Sequence, residues 1–136
     1  MKGDGHKGLG QLGLRPGLVV EELGWDTDVD EGLRAAVMEA IDGDLLEESS
    51  DAVDAVLLWW RSEDGDVTDA LFDALTDLGR DGVIWLMTPK VGRTGHVEEA
   101  DISEGAVTAG LALTSTATIS RDWAAHKIVR TKGGRR

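Results

Sequence analysis

Three basic side chains lie in the loop that follows the third long apolar run of the sequence. Lys90, Arg93 and His96 occupy this glycine-bearing segment, and Arg61 directly follows an earlier apolar run. Arginine offers a planar fork to a carboxylate or a phosphate, and lysine offers a point charge. A flexible, solvated loop is the favoured interpretation of this segment. The alternative hypothesis is a site for a small anion, with Trp25 in another loop placed to stack on a ligand.

Metal and nucleophile chemistry is less well supported by the spacing of the residues. Asp26, Asp28 and Asp30 alternate as in a calcium-binding EF-hand loop, but Glu31 stands where glycine is required and Val37 where a bidentate glutamate is required. Capping of the next helix by Asp26 or Asp28 explains the acids better. The histidines are not accompanied by a Gly-x-Ser-x-Gly nucleophile motif, so we predict neither a metal site nor a hydrolase.

The charge of the chain is strongly acidic and unevenly distributed. There are 26 acidic and 14 basic residues, for a formal charge of −12, and no cysteine. Residues 18–82 contain 20 of the acids and only three arginines. This charge argues against nucleic acids and anionic membranes as partners, because affinity for phosphate depends on Lys and Arg. Solvated helix faces are the favoured interpretation of these acids. The alternative is an acidic face that docks a basic protein partner.

Location and cofactor use are predicted from what the sequence lacks. No apolar run approaches the roughly 20 residues of a membrane span, and the first residues have no signal-peptide pattern, so we expect a cytoplasmic protein. The turn after the first expected strand, Gly24-Trp25-Asp26, is bulky and acidic, whereas a pyrophosphate requires close approach of backbone amides. We therefore predict no dinucleotide, no S-adenosylmethionine and no other cofactor, and lean away from an enzyme.

Expected strands and helices alternate along the chain. Strands are predicted over residues 18–23, 53–60 and 82–87, with a weaker one over 44–47. Apolar residues at helical spacing predict helices ending at Ile41 and at Gly79, and Asp101 with Glu104 has the spacing of a capping box for a helix that runs to about Ala109. Two β-rich runs, 113–120 and 124–130, predict an antiparallel pair.

This order of elements predicts a small three-layer α/β domain of Rossmann-like type, with a mostly parallel sheet and a C-terminal antiparallel hairpin. We assign residues 1–10 to a flexible arm, 11–131 to the single domain and 132–136 to a basic tail. Ligands of such sheets bind outside the carboxyl ends of the strands, which predicts a crevice among the loops after the three strands.

An ordered set of segments resembles a small actinobacterial family of proteins of unknown function, of the DUF3052 type. The segments are 12–17, 53–60, 85–90, 114–123 and 127–129, and the resemblance spans about residues 9–132. It implies a shortened methyltransferase-like layout without the cofactor loop. The recurring positions are Pro16, Gly17, Trp85, Pro89, Lys90 and Trp123. The resemblance attaches no catalytic role to any of them.

The function expected from the sequence is a non-catalytic binding or regulatory domain whose acidic face docks a basic protein partner. The alternative is a sensor of a small anion or nucleotide that uses the basic loop at the carboxyl edge of the sheet. A homo-oligomer is a further option.

Overall fold

The computed structural model describes residues 12–49 and 51–131, in which helices and strands alternate before a final hairpin. The predicted arm, 1–10, and the predicted tail, 132–136, lie outside the described residues. The elements are β1 Val20–Leu23, α1 Glu31–Ile41, β2 Val53–Trp59, α2 Val67–Leu75, β3 Leu78–Pro89, α3 Glu99–Thr108, β4 Leu111–Thr118 and β5 Trp123–Arg130. Within these described ranges, no helix has the length and apolar character needed to span a membrane.

The five strands form one sheet in the order β1-β2-β3-β5-β4. The pairs β1–β2 and β2–β3 are parallel, whereas β3–β5 and β5–β4 are antiparallel. The α/β class and the C-terminal hairpin are confirmed, but the expectation of a mostly parallel sheet is only half right. The hairpin accounts for the difference, because its second strand lies between β3 and β4 and pairs antiparallel with both.

Helices cover both faces of the sheet, as the three-layer prediction requires. On one face α1 buries Leu33 and Val37 in a cluster that includes Trp59 of β2. On the other face α2 and α3 bury Leu71 and Ile102 in a second cluster. The near-continuous apolar sequence of β2 follows from this arrangement, because a strand covered on both faces has no exposed side.

The helix starts differ in part from the prediction. Asp30 caps α1 by accepting a hydrogen bond from the Leu33 amide at 2.9 Å, so the assignment of the cap to Asp26 or Asp28 is wrong. Asp66 caps α2 by accepting a hydrogen bond from the Thr68 amide at 2.8 Å. The predicted capping box of α3 is also wrong, because the helix starts after Glu98 and its first turn already contains Asp101.

Two predicted boundaries near the sheet are corrected. The helix expected to end at Gly79 stops at Leu75, because Leu78 already pairs with Val53 as the first residue of β3. The weak strand over 44–47 reduces to one parallel bridge, in which Leu46 pairs with Glu21 on the outer side of β1.

Strand β1 contains two buried carboxyl groups that point to opposite faces of the sheet. The carboxylate of Glu22 accepts hydrogen bonds from Arg34 Nε at 2.6 Å, from Arg34 Nη2 at 2.7 Å and from Trp59 Nε1 at 2.8 Å. Glu21 faces the α2 side, where burial, followed by the hydrogen bond and charge of Asp77 and the charge of Glu48, raises the pKa of its carboxyl group to about 7. Sequence alone gave no indication that charged groups are buried at this edge strand.

Candidate functional site

The loops after β1, β2 and β3 meet at the carboxyl edge of the sheet, where the predicted crevice was placed. The three strands are parallel neighbours, so their carboxyl ends lie side by side. The chain leaves β1 for the bridge at Leu46 on the outer side and then returns to β2 on the inner side. The junction of β1 and β2 is therefore the point of reversal at which open α/β sheets take their ligands.

Arg61 fills this junction. Its side chain is only 8% exposed, and its Nη2 and Nε donate to the two carboxylate oxygens of Asp28 at 2.5 and 3.1 Å. Its Nη1 donates to the carbonyl oxygens of Gly24 at 2.8 Å and Trp59 at 3.3 Å. The guanidinium group also lies 5.3 Å from the ring centre of Trp123. The residue thus connects the loop after β1, the end of β2 and the start of β5.

The backbone at the junction is tightly packed as well. Gly24 has a φ of +79°, and a Cβ atom there would lie 2.2 Å from the Trp59 carbonyl oxygen. The ring of Trp59 meets that of Trp123 edge to face, with centres 4.8 Å apart. The hydrogen bonds from Arg61 hold the pKa of the Asp28 carboxyl group below its ordinary value, so Asp28 stays charged and paired.

These residues do not fit a cofactor of the S-adenosylmethionine or dinucleotide type at the junction. Such a group requires free backbone amides and open space after β1. Here the carbonyl group of Gly24, in the loop after β1, accepts a hydrogen bond from Arg61. The guanidinium group lies between the ends of the two strands.

The five residues predicted to bind a ligand are not all brought together. Arg61 is held by Asp28, and Arg93 forms an exposed ion pair with Asp122 at 3.0 Å. Trp25 is half-exposed, and its Nε1 donates to Glu31 at 3.0 Å. Their role in ligand binding stays a prediction.

Lys90 and His96, the other two, line one cavity of about 480 Å³ beneath the basic loop. His96 Nδ1 donates to the Pro89 carbonyl oxygen at 2.9 Å, which fixes the orientation of its ring. The cavity lies on the α3 face of the sheet, near the start of α3, on the opposite side of β3 from β1.

The floor of this cavity contains His126 of β5, which is not among the residues predicted to bind a ligand. The residue is 95% buried, with Nε2 at 2.8 Å from Thr88 Oγ1 and Nδ1 at 3.0 Å from Thr116 Oγ1. Burial and, secondarily, the charge of His96 lower the pKa of His126 to about 4, so its imidazole is neutral at pH 7. The available signal was a polar residue on each of two adjacent buried strands, Thr88 at the end of β3 and His126 within β5.

A second depression, which we call the acidic groove, runs between the start of α2 and one side of α3. Its volume is about 500 Å³. Four carboxyl side chains line it: Asp66, Glu98, Asp101 and Glu104. Among the described residues in its lining there is no lysine or arginine, and His96 is the basic side chain. Three of these acids lie outside residues 18–82, the stretch that the sequence reasoning singled out.

No arrangement of three or more His, Cys, Asp or Glu side chains suited to a metal ion occurs in the described part of the chain.

Comparison with solved structures supports the fold. The chain is similar to an O-methyltransferase of neocarzinostatin biosynthesis, with a TM-score of 0.63 and 14% identity over 82% of this chain and 48% of that one. It is also similar to an S-adenosylmethionine-dependent methyltransferase from Aquifex aeolicus, with a TM-score of 0.60 and 13% identity over 93% of this chain and 89% of that one. The chain thus spans about half of the first enzyme. At these identities the likeness concerns the fold alone.

Comparison with sequences gives the family. Uncharacterised proteins from Mycobacterium tuberculosis strain H37Rv and from Mycobacterium bovis are each 49% identical to this chain over 123 residues, which is 90% of this chain and 77% of the relative. The model of the family described as "Protein of unknown function (DUF3052)" matches residues 10–132. The resemblance found in the sequence is confirmed, and the chain belongs to the DUF3052 family.

Proposed function

We propose that the protein is a cytoplasmic, non-catalytic binding domain that docks a basic segment of a protein partner in the acidic groove. The observation that carries this proposal is the composition of the groove, where four carboxyl groups face one depression with no described lysine or arginine in its lining. Complementary charge of this kind accelerates encounter and selects the partner. The excess of acids elsewhere on the chain adds a long-range attraction for the same partner.

The closed junction between β1 and β2 supports the non-catalytic part of the proposal. A protein with this fold takes a ligand at the point of strand reversal, and here Arg61 and Asp28 occupy that point. Their hydrogen bonds would have to be broken before a cofactor could enter. The fold then serves as a scaffold for the surface that α2 and α3 present.

The experiment is a binding titration with hexalysine, followed by amide chemical shifts in NMR spectra. We expect shift changes at residues that line the groove and a steep loss of affinity as salt is added. The double variant Asp101→Asn/Glu104→Gln should weaken binding about tenfold, because two partly screened ion pairs are lost.

A matched control separates the groove from general acidity. Asp69→Asn/Asp73→Asn removes the same charge from the exposed side of α2, outside the groove lining, and should change affinity by less than about twofold. Equal weakening by the two double variants, or affinity independent of salt, would rule out docking in the groove.

A second candidate function is favoured by one observation, the cavity beneath the basic loop. Lys90 and His96 both line it, as a sensor of a small anion or nucleotide requires. In that case a ligand should raise the melting temperature of the wild-type protein but not of Lys90→Ala.

A further inference from the structure

The cavity beneath the basic loop combines an apolar wall with a charged rim. Val91 lies in its lining although its side chain is 81% exposed, and Val97 and Ala124 complete an apolar side. Exposed apolar side chains at the mouth of a cavity are typical of sites that take a partly apolar small molecule. The volume of about 480 Å³ lies within the usual range of such sites.

Among the residues that the structure describes, Lys90 is the one side chain in this lining with a permanent positive charge. Lys90 lies in the lining, whereas Arg93 is paired with Asp122 and Arg61 with Asp28. The floor is formed by the hydroxyl groups of Thr88 and Thr116 on either side of the uncharged His126 ring. The cavity therefore has one fixed cation above a neutral, hydrogen-bonding floor.

The rim also limits how much negative charge a ligand can bring. Glu98 and Glu99, at the start of α3, both belong to the lining. Their carboxylates repel a ligand with two or more negative charges, such as a nucleotide or a doubly ionised phosphate. A ligand with a single carboxylate against Lys90, and with its apolar body turned towards Val91, meets less of that repulsion.

We propose that this cavity binds a small organic monocarboxylate, which pairs with Lys90 and lays its apolar part against Val91, Val97 and Ala124. The proposal rests on the second candidate function and narrows its ligand class, excluding nucleotides. The cavity and the acidic groove share His96, Val97 and Glu98 in their linings, but the residues altered to test the two proposals are different.

The test is a titration of the full chain with benzoate, observed through the His126 ring proton signals and the melting temperature. We expect saturable shifts at His126 and a raised melting temperature at millimolar benzoate. Benzamide, which has the same ring without the charge, and inorganic phosphate should each bind at least tenfold more weakly. Lys90→Gln should lose most of the benzoate response.

Arg93→Gln is the matched control, because it removes a positive charge from the same loop but outside the cavity lining. It should retain the response to benzoate, and both variants should melt close to wild type in the absence of ligand. The proposal is overturned if benzoate gives no saturable shift, if benzamide or phosphate binds as tightly, or if the two variants respond alike. None of these results would affect the hexalysine test, so failure of the two proposals can be told apart.

Discussion

The two halves of the carboxyl edge of the sheet are built with different chemistry. At the junction of β1 and β2, a charged Arg61 meets a charged Asp28 and two carbonyl oxygens, and the space between the strand ends is filled. On the α3 face of β3 and β5, a neutral His126 is held between two threonine hydroxyl groups, and a cavity of about 480 Å³ remains above it.

The difference follows from the geometry of the two side chains. A guanidinium group has five donors in a plane, so one arginine can satisfy acceptors on several loops and pull them together. An imidazole has only two nitrogens, and here both are satisfied by residues of neighbouring strands. The junction where the fold ordinarily takes a ligand is thus closed. The open cavity lies instead on the other side of β3, next to β5.

The largest expected effect is on the closed half. Arg61→Ala leaves the carbonyls of Gly24 and Trp59 without their donor and removes the partner of Asp28, so the free energy of unfolding should fall by about 3 kcal/mol. Denaturant unfolding followed by tryptophan fluorescence measures this change.

Arg93→Ala serves as the control for that substitution. Its ion pair with Asp122 is half-exposed on both sides, so the loss should be about 0.5 kcal/mol or less. Similar losses for the two variants would show that Arg61 does not hold the junction closed and would break the comparison.

The sequence predicted the fold better than the site. Apolar runs with helical and strand periods placed the first three strands and the first two helices, because burial on two faces of a sheet leaves a direct trace in the pattern. The order of β4 and β5 in the sheet leaves no such trace, since both orders give the same run of residues.

Within the site, residue types indicated which side chains carry charge, but the sequence did not show which residues they contact. Arg61 follows β2 at the carboxyl edge of the sheet, but its pairing with Asp28, 33 positions away, depends on how the loops close. His126 looked like an ordinary strand residue, because Thr88 lies 38 positions away in sequence. Side-chain contacts between elements that are distant in sequence are set by the tertiary structure and have no local period.

The second expected effect is on the open half, where His126 should make the free energy of unfolding depend on pH in acid. With a pKa of about 4 in the folded state against an ordinary value of 6.5, His126 takes up its proton less readily than in the unfolded chain. Stability is therefore lost as the pH falls from about 6.5 to 4, by as much as about 3 kcal/mol. Unfolding measured across this range for the wild type and for His126→Gln should show a shallower loss in the variant. Identical pH profiles, or an NMR titration of His126 near 6.5, would contradict the neutral floor of the cavity.

The smallest of the three effects concerns Glu21, a buried acidic group in β1. Its pKa is raised, whereas the pKa of the basic His126 is lowered. The Glu21 pKa of about 7 exceeds the ordinary 4.5, mainly because of burial and then because of Asp77. The folded state therefore retains a proton that the unfolded chain releases, so the stabilisation is complete below pH 4.5 and is lost as the pH rises through 7.

Glu21→Gln mimics the protonated form and should raise the free energy of unfolding at pH 8 by about 2 kcal/mol, with little change at pH 5. Glu48→Gln, which removes a weaker charge contribution near the same carboxyl group, should give a smaller gain in the same direction. If Glu21→Gln destabilises the protein equally at both pH values, the carboxylate is held by partners as Glu22 is, and both halves of the edge would then bury their charge in the same way.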